Sequence, residues 1–117
     1  MARVLIVDDD RVTLRALCRI VEFCGHEPVP ESDSVTAANA YFLDVRVKAV
    51  LTDYMMPRMD GLDLLSVWQD VRPQVRRLLV TASSVSELHE ACRTGVAQMI
   101  LTKPLSLSDM KAALAWL

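Results

Sequence analysis

The sequence predicts an α/β fold, a doubly wound parallel sheet of five strands in the order 2-1-3-4-5 with helices on both faces. Short apolar runs alternate with segments whose apolar residues recur every three or four positions, the patterns of buried strands and amphipathic helices. Five such pairs with right-handed crossovers give a parallel sheet that is covered on both faces. The second strand contains two prolines, which cannot donate to a neighbouring strand and therefore place it at an edge.

The first strand and helix are bounded by acidic residues and a glycine. The run Val4–Val7 is apolar throughout and stops at three consecutive aspartates, so it predicts a strand buried on both faces. From Arg11 onward apolar residues recur at helical spacing, and Gly25 favours the end of that helix. His26–Pro30 then predicts the edge strand that bears the prolines.

A second helix and a central strand follow. Asp33 or Ser34 can cap the helix, which is expected to run to about Asp44. The valine-rich run Val47–Leu51 predicts a buried strand with Asp53 at its carboxyl end, where a turn-forming segment begins. Because open α/β sheets bind ligands at the carboxyl ends of their strands, Asp53 is the first candidate for a functional residue.

A third helix and a fourth strand come next. Asp60 is expected to cap this helix rather than to bind a metal, and its apolar residues are Leu62, Leu65 and Trp68. The helix is expected to end before Pro73, because proline disrupts a helix interior. Arg77–Thr81 predicts the fourth strand.

The last two helices begin with capping patterns. Ser84 and Glu87 have the spacing of a capping box ahead of a helix that Gly95 is placed to end. Met99–Thr102 predicts the fifth strand, and Ser106 opens the last helix. The apolar stripe of that helix is expected at Leu107, Met110, Leu114 and Leu117.

The composition is that of one ordinary globular domain. Its 117 residues are 52% hydrophobic and 24% charged, and a formal charge of -2 without a Lys/Arg cluster predicts no direct binding of nucleic acid or of a membrane surface. Cys18, Cys24 and Cys92 lack disulfide or metal-site spacing and are expected to be buried thiols. With no signal-peptide core at the amino terminus, these features predict a cytoplasmic protein.

Polar residues follow four of the predicted strands. In the order 2-1-3-4-5 the first and third strands are neighbours, so Asp8 and Asp9 are expected beside Asp53. Thr81 ends the fourth strand, and Lys103 follows the fifth. Five polar groups from four parts of the sequence therefore converge on one edge of the sheet.

These residues belong to four motifs that stand at successive strand ends. The motifs are V-D-D at Val7–Asp9, D-x-x-M-P-x-M-D-G at Asp53–Gly61, V-T-A at Val80–Ala82 and T-K-P at Thr102–Pro104. Together they resemble the receiver domain of bacterial two-component response regulators, in the same order along the whole chain. The resemblance implies a flavodoxin-like (βα)5 fold with residues 1–117 as one receiver domain. It leaves open that this is the N-terminal domain of a longer protein.

The resemblance implies a phosphorylation switch. Asp53 would accept a phosphoryl group from a phosphohistidine of a sensor histidine kinase or a histidine phosphotransfer protein. Thr81 and Lys103 would bind phosphoryl oxygens, and the domain would change conformation to regulate an output. The reaction would need Mg²⁺, for which Mn²⁺ can substitute, held by Asp8, Asp9, Asp53 and the backbone carbonyl of Met55. A hard cation suits this site because clustered carboxylates repel one another.

The resemblance also implies how the signal leaves the domain. An effector domain or a downstream protein would contact the fourth helix, fifth strand and fifth helix, and a homodimer is left open. The protein would not be an enzyme beyond catalysing its own phosphorylation and dephosphorylation. The Lys103-Pro104 bond is a candidate cis peptide that would aim the lysine inward.

One departure from the family pattern and the residues at two positions beside the phosphoryl site affect this interpretation. Ile100 stands three residues before Lys103, where the family usually has Tyr or Phe, so no aromatic ring is available to swing inward. Met55 and Ser83 occupy the positions that flank the approach of a hydrolytic water in the family. Because neither is suited to orient that water, a long-lived phosphorylated state is expected.

Two alternative functions remain open from the sequence. Asp8-x-Asp10-x-Val12 after an apolar strand also fits the pattern of haloacid-dehalogenase-like phosphohydrolases, with Asp8 as nucleophile and Asp10 as acid and base. That interpretation leaves Asp53 and its motif without a role. The other alternative is a receiver fold used as a docking module that is independent of phosphorylation, which the presence of Ile100 leaves open.

Overall fold

The computed structural model describes residues 1–82, 88–115 and 117. Five strands alternate with helices, and they are β1 (Arg3–Val7), β2 (Glu27–Glu31), β3 (Val47–Asp53), β4 (Arg76–Thr81) and β5 (Met99–Thr102). The helices are α1 (Arg11–Phe23), α2 (Ser34–Ala37), α3 (Gly61–Val71), α4 (Leu88–Arg93) and α5 (Leu107–Leu114). All strand pairs are parallel, and the sheet order is β2-β1-β3-β4-β5. The predicted fold class and strand order are confirmed.

The sheet separates two apolar cores. On one face, residues of α1 and α5 pack against the sheet, and the buried ones are Leu14, Leu17, Val21, Met110, Ala113 and Leu114. On the other face α2, α3 and α4 contribute buried residues, namely Ala37, Leu64, Leu65, Trp68, Leu88 and Ala91. Strand residues that alternate between the two faces complete both cores, which explains why the runs in β1, β3 and β4 are apolar without interruption.

The prolines of β2 lie on its free side. The Glu27 amide donates to the chain that leads into β1 (2.9 Å), and the Glu31 carbonyl accepts from the residue that follows β1 (3.3 Å). Because neighbouring residues of a strand direct their backbone groups to opposite sides, Pro28 and Pro30 direct theirs away from β1. The lack of an amide hydrogen at Pro28 and Pro30 therefore removes no hydrogen bond between β2 and β1. It also means that these two residues cannot donate to a further strand at this edge.

The second helix is shorter than the sequence predicts. It ends at Ala37 rather than near Asp44. The guanidinium of Arg72 donates to the carbonyls of Phe42 (3.3 Å), Asp44 (2.8 Å) and Val47 (3.1 Å), and its carbon lies 6.0 Å from the centre of the Trp68 ring. The connection to β3 is thus held by the guanidinium of Arg72, the residue that follows α3.

The remaining boundaries follow the sequence with small differences. Asp10, Asp33, Asp60 and Ser106 are the N-caps of their helices, and Gly25 and Gly95 adopt φ values of 86° and 80° after theirs. The predicted capping box at Ser84 and Glu87 lies outside the described residues. Helix α5 ends at Leu114, so Leu117 lies beyond it and packs against the α1 side of the core, while Leu107 is 40% exposed.

The cysteines differ in part from their predicted burial. All three are free thiols, but only Cys18 and Cys24 are partly buried, and Cys92 is exposed. Cys92 lies near the end of α4, one residue after the buried Ala91, and therefore on the outer side of that helix. Among the described residues, no helix is both long enough and apolar enough to cross a bilayer.

Gly61 is required by the close approach of α3 to β3. A Cβ atom there would lie 2.2 Å from the carbonyl oxygen of Asp53 and 2.8 Å from Cδ1 of Leu79. The Gly61 amide instead donates to the Tyr54 carbonyl at 2.6 Å. The glycine of the central motif therefore has a packing reason, because it lets α3 begin directly behind the residue at the end of β3.

We expect Gly61→Ala to lower the free energy of unfolding by about 2–4 kcal/mol, because the clash is with backbone and a buried side chain. The matched control is Gly25→Ala, which adds a methyl group where no atom lies within 4 Å but keeps the φ of 86°. In that control the free energy of unfolding should fall by about 1 kcal/mol, from backbone strain alone. Urea unfolding measures both, and equal losses in the two variants would contradict the close-approach argument.

Candidate functional site

Three carboxylates meet at the carboxyl end of the sheet. Asp8, Asp9 and Asp53 each offer an oxygen, and these atoms lie within 4.8 Å of one another. The register explains this, since Val7 of β1 is paired with Thr52 of β3 and the next residues continue side by side. Asp8 is buried, Asp53 is half-buried and Asp9 is exposed. The predicted proximity of these residues is confirmed, and the set of hard oxygen donors fits a divalent cation.

Asp8 is the most enclosed member of this acidic cluster. Its side chain is 1% exposed, its Oδ1 accepts the Asp10 amide at 2.9 Å, and its Oδ2 lies 3.3 Å from Nζ of Lys103. Burial raises the pKa of Asp8, and the charge of Asp53 raises it further, whereas the Asp10 amide and Lys103 hold it down. The net result is a raised pKa for the Asp8 carboxyl.

Lys103 joins two of the carboxylates. Its Nζ lies 3.3 Å from Asp8 and 3.2 Å from Oδ1 of Asp53, and its side chain is 26% exposed. Partial burial favours the neutral amine, but the two carboxylates outweigh that effect and raise the pKa of Lys103. The Lys103-Pro104 peptide is cis, as predicted, and the Lys103 amide donates to the Thr81 carbonyl at 2.8 Å.

Thr81 and Ile100 lie on neighbouring strands beside this cluster. Thr81 is buried at the end of β4, one residue after Val80, the register partner of Asp53. The sequence therefore places it correctly at the edge that carries the site. Ile100 is partly buried in β5, opposite Leu79, and packs against the core on the α3 side.

The β3–α3 loop, residues 54–60, borders the cluster. Met55 is 72% exposed there, and Asp60 accepts the Asp63 amide at 2.9 Å as the cap of α3. This loop is attached to the start of α2, where the Asp33 carboxylate pairs with the Arg58 guanidinium, a contact that was not predicted from the sequence. The two residues are 25 positions apart, and no local pattern could indicate their contact.

Asp10 does not share the acidic cluster. Its carboxylate caps α1, accepting the Thr13 hydroxyl at 2.6 Å and the Val12 amide at 3.2 Å. The Thr13 hydroxyl and the Val12 amide stabilise the ionised form and hold the pKa of Asp10 below its usual value. A general acid needs a raised pKa, so this geometry argues against the phosphohydrolase interpretation.

The fold and site together define a class of α/β proteins in which acidic residues and a lysine meet at the switch point of a five-stranded parallel sheet. The family model for the response regulator receiver domain matches residues 4–115. The chain therefore belongs to the receiver domain family of two-component response regulators. This is not an enzyme family in the classical sense.

Individual relatives agree with this assignment. The chain is 35% identical over 111 residues to the response regulator MprA of Mycobacterium avium (strain 104), which covers 94% of this chain and 48% of that protein. It thus spans about half the length of the curated relatives that it matches.

Solved structures share the fold. A response regulator receiver domain protein from Clostridium thermocellum superposes with a TM-score of 0.87 at 24% identity, covering 98% of this chain and 92% of that one. The receiver domain of the sensor histidine kinase PA1611 from Pseudomonas aeruginosa PAO1 gives a TM-score of 0.84 at 19% identity, with coverage of 97% and 93%. That crystal structure has a magnesium ion coordinated in the active site cleft.

We expect Lys103→Met to lower the free energy of unfolding by about 1–3 kcal/mol at neutral pH, since it leaves Asp8 buried without its cation. The pKa of Asp8 is raised in the folded protein, so ionising it costs stability as the pH rises from about 4 through that pKa. The loss should therefore be small near pH 4 and largest at neutral pH.

Urea unfolding at several pH values measures this difference. Lys111→Met, at an exposed position on α5, is the matched control and should show no such pH dependence. A loss in Lys103→Met that is equal at pH 4 and pH 7 would contradict charge compensation as its cause.

Proposed function

We propose that this receiver domain accepts a phosphoryl group on Asp53 from a phosphohistidine of a sensor histidine kinase or a histidine phosphotransfer protein. The observation that carries the proposal is the position of the Asp53 carboxylate, at the end of the central strand, inside the acidic cluster and 3.2 Å from the Lys103 ammonium. Membership of the receiver family gives the reaction type. The proposed domain covers residues 1–117.

In the proposed reaction, a carboxylate oxygen of Asp53 attacks phosphorus while the phosphorus–nitrogen bond to the donor histidine breaks. The nitrogen keeps the electron pair of that bond, and an acyl phosphate forms on Asp53. The incoming group is anionic, so positive charge has to balance it before attack. Lys103 would transfer its contact from the Asp53 carboxylate to a phosphoryl oxygen, and the Thr81 hydroxyl would donate to another.

Mg²⁺ is the proposed cofactor, with Mn²⁺ as a substitute. It would be held by the carboxylates of Asp8, Asp9 and Asp53 and by the backbone carbonyl of Met55. When bound, it supplies charge that offsets the carboxylates and the phosphoryl oxygens. The magnesium ion in the PA1611 receiver structure supports this assignment. Such a site also accounts for a buried Asp8 whose ionisation the fold opposes.

The proposed output follows from the same site. Phosphorylation would shift Thr81, and β5, α4 and α5 would repack and offer a changed surface to an effector domain, a downstream protein or a second copy. With Ile100 in place of a large ring, the change would be small. The domain would otherwise catalyse only its own phosphorylation and dephosphorylation. The free thiols support a reducing compartment, and we propose the cytoplasm.

A docking module that needs no phosphorylation is the second candidate, and Ile100 is the observation that favours it. Mass spectrometry after incubation with acetyl phosphate and Mg²⁺ separates the candidates. Our proposal expects one labile phosphoryl group, and the docking module expects none. A phosphohydrolase would instead show turnover that depends on Asp8.

Asp53→Asn should abolish this labelling while the protein keeps its fold, because the amide is nearly isosteric but is not nucleophilic toward phosphorus. The matched control is Asp70→Asn, at an exposed position on α3, which should be labelled like the parent protein. Intact-mass measurement reports the added phosphoryl group, and circular dichroism reports the fold. Full labelling of Asp53→Asn would place the acceptor at another residue.

Mg²⁺ should raise the melting temperature only at millimolar concentrations, because a few oxygen ligands and retained waters hold it weakly. Asp9→Asn should remove most of this shift. Asp10→Asn changes the neighbouring carboxylate, which caps α1 and has no place in the cluster, so it should keep the shift. A parent protein whose melting temperature does not respond to Mg²⁺ would contradict the metal site.

Met55→Asn should accelerate loss of the phosphoryl group about three- to tenfold, because an amide can orient a hydrolytic water and a thioether cannot. Met55→Leu is the matched control and should decay like the parent. The phosphorylated fraction is followed by intact mass after the phosphodonor is removed. Ser83, the other residue expected to flank this approach, lies outside the described residues. Equal rates of phosphoryl loss in Met55→Asn and Met55→Leu would contradict the idea that residue 55 controls the orientation of the hydrolytic water.

A further inference from the structure

The β2–α2 corner, residues 31–34, contacts both sides of the acidic cluster. On one side, the Glu31 carbonyl accepts the amide of Asp8 at 3.3 Å. On the other side, the side chains of Asp33 and Ser34 reach the β3–α3 loop that follows Asp53. The corner therefore connects two segments that carry proposed metal ligands.

Two side chains of the corner contact two adjacent residues of the β3–α3 loop. The Asp33 carboxylate pairs with the guanidinium of Arg58, and the Ser34 hydroxyl donates to the carbonyl of Pro57 at 3.2 Å. Ser34 is 2% exposed, so its hydrogen bond is shielded from water. Together these contacts hold the middle of the loop, between its two attachments to the sheet and α3.

The loop backbone is strained where the corner holds it. Arg58 has a φ of 70°, in the left-handed region that residues other than glycine rarely adopt. Such a conformation persists only where the surroundings impose it, and it often occurs at functional sites. The Met59 amide donates to the Pro57 carbonyl at 2.8 Å and closes a tight turn around Arg58, and the ion pair with Asp33 and the hydrogen bond from Ser34 to Pro57 hold the same segment from outside.

The corner is itself firmly anchored. The carboxylate of Glu31 accepts the Asp33 amide at 2.9 Å and the Tyr41 hydroxyl at 2.7 Å, and the Tyr41 ring packs against the core. The Asp33 carboxylate also accepts the Thr36 hydroxyl at 2.6 Å, and hydrogen bonds from Thr36 and then from Arg58 lower the pKa of Asp33 to about 2. Asp33 is therefore ionised and oriented at neutral pH.

We propose that Asp33, Ser34 and Arg58 are positioning residues that set the Met55 carbonyl for metal binding. Met55 lies between two fixed points, Tyr54, whose amide donates to the β4 strand at 3.0 Å, and the held loop middle. Releasing the middle of the loop would remove one of the two restraints on the orientation of the Met55 peptide. This inference rests on the proposed function, because the orientation of that carbonyl matters only if the site binds a cation.

Arg58→Gly gives the sharpest test. Glycine adopts a φ of 70° readily, so this change removes the ion pair and relieves the strain together. We expect a melting temperature within a few degrees of the parent protein, and a Mg²⁺ dissociation constant about tenfold higher, as for other residues that orient metal ligands. A purely structural role for Arg58 would not separate these two quantities.

Asp33→Asn and Arg58→Lys complete the series. In Asp33→Asn the asparagine still caps α2 but has no charge to pair with Arg58, so the Mg²⁺ affinity should fall about tenfold. In Arg58→Lys the positive charge is kept, so the Mg²⁺ affinity should be higher than in Arg58→Gly but lower than in the parent protein. Glu27→Gln removes one negative charge at the opposite end of β2 and should leave the affinity unchanged. NMR chemical-shift titration measures the affinities, and amide exchange should become faster in residues 54–60 of the weakened variants.

Two outcomes would overturn the inference at different levels. If Arg58→Gly and Asp33→Asn bind Mg²⁺ as tightly as the parent protein, the corner does not position the site, although the site itself stands. If the parent protein shows no Mg²⁺ shifts around Asp53, the proposed function is wrong, and the positioning role with it.

Discussion

The ammonium group of Lys103 offsets the charge of two of the three carboxylates that share one end of the sheet. Asp8 is buried beside Asp53, and the loss of hydration and then the charge of Asp53 oppose ionisation of Asp8 and raise its pKa. Lys103 lies within 3.3 Å of Asp8 and 3.2 Å of Asp53, where it offsets part of that cost. The same charges make the site suited to its proposed ligands. A divalent cation would offset the negative charge of the carboxylates, and an anionic phosphoryl group would be paired by the ammonium and the cation.

The two ends of the sheet are built differently. At the end opposite the acidic cluster, two arginines are held by backbone carbonyls rather than by carboxylates, and they fasten the connections between helices and strands. Arg77 is 4% exposed and donates to four carbonyl oxygens, those of Pro73, Val75, Gly95 and Val96. Arg72 does the same for the segment that leads into β3. At the carboxyl ends of the strands the charged side chains instead pair with one another, as Lys103 does with Asp8 and Asp53.

Much of the fold and most of the site could be predicted from local patterns. Continuous apolar runs identified the buried strands, and Pro28 and Pro30 identified the edge strand, because each pattern has a direct physical cause in burial or in hydrogen bonding. Strand order then brought Asp8, Asp9 and Asp53 together, because residues at the ends of neighbouring parallel strands must be close. The chemical roles of these residues were predicted by family resemblance rather than by pattern.

The sequence by itself thus determined the strand order and the residues at the carboxyl edge. Only the tertiary structure decided that α2 ends at Ala37 and that Arg72, which follows α3, donates to the carbonyls of Phe42 and Asp44. It also decided that Asp33 holds Arg58, and that Cys92 faces outward. The physical reason is common to all three. Periodicity reports the preferences of neighbouring residues, whereas these features depend on contacts between segments that are distant in the chain and meet only when it packs.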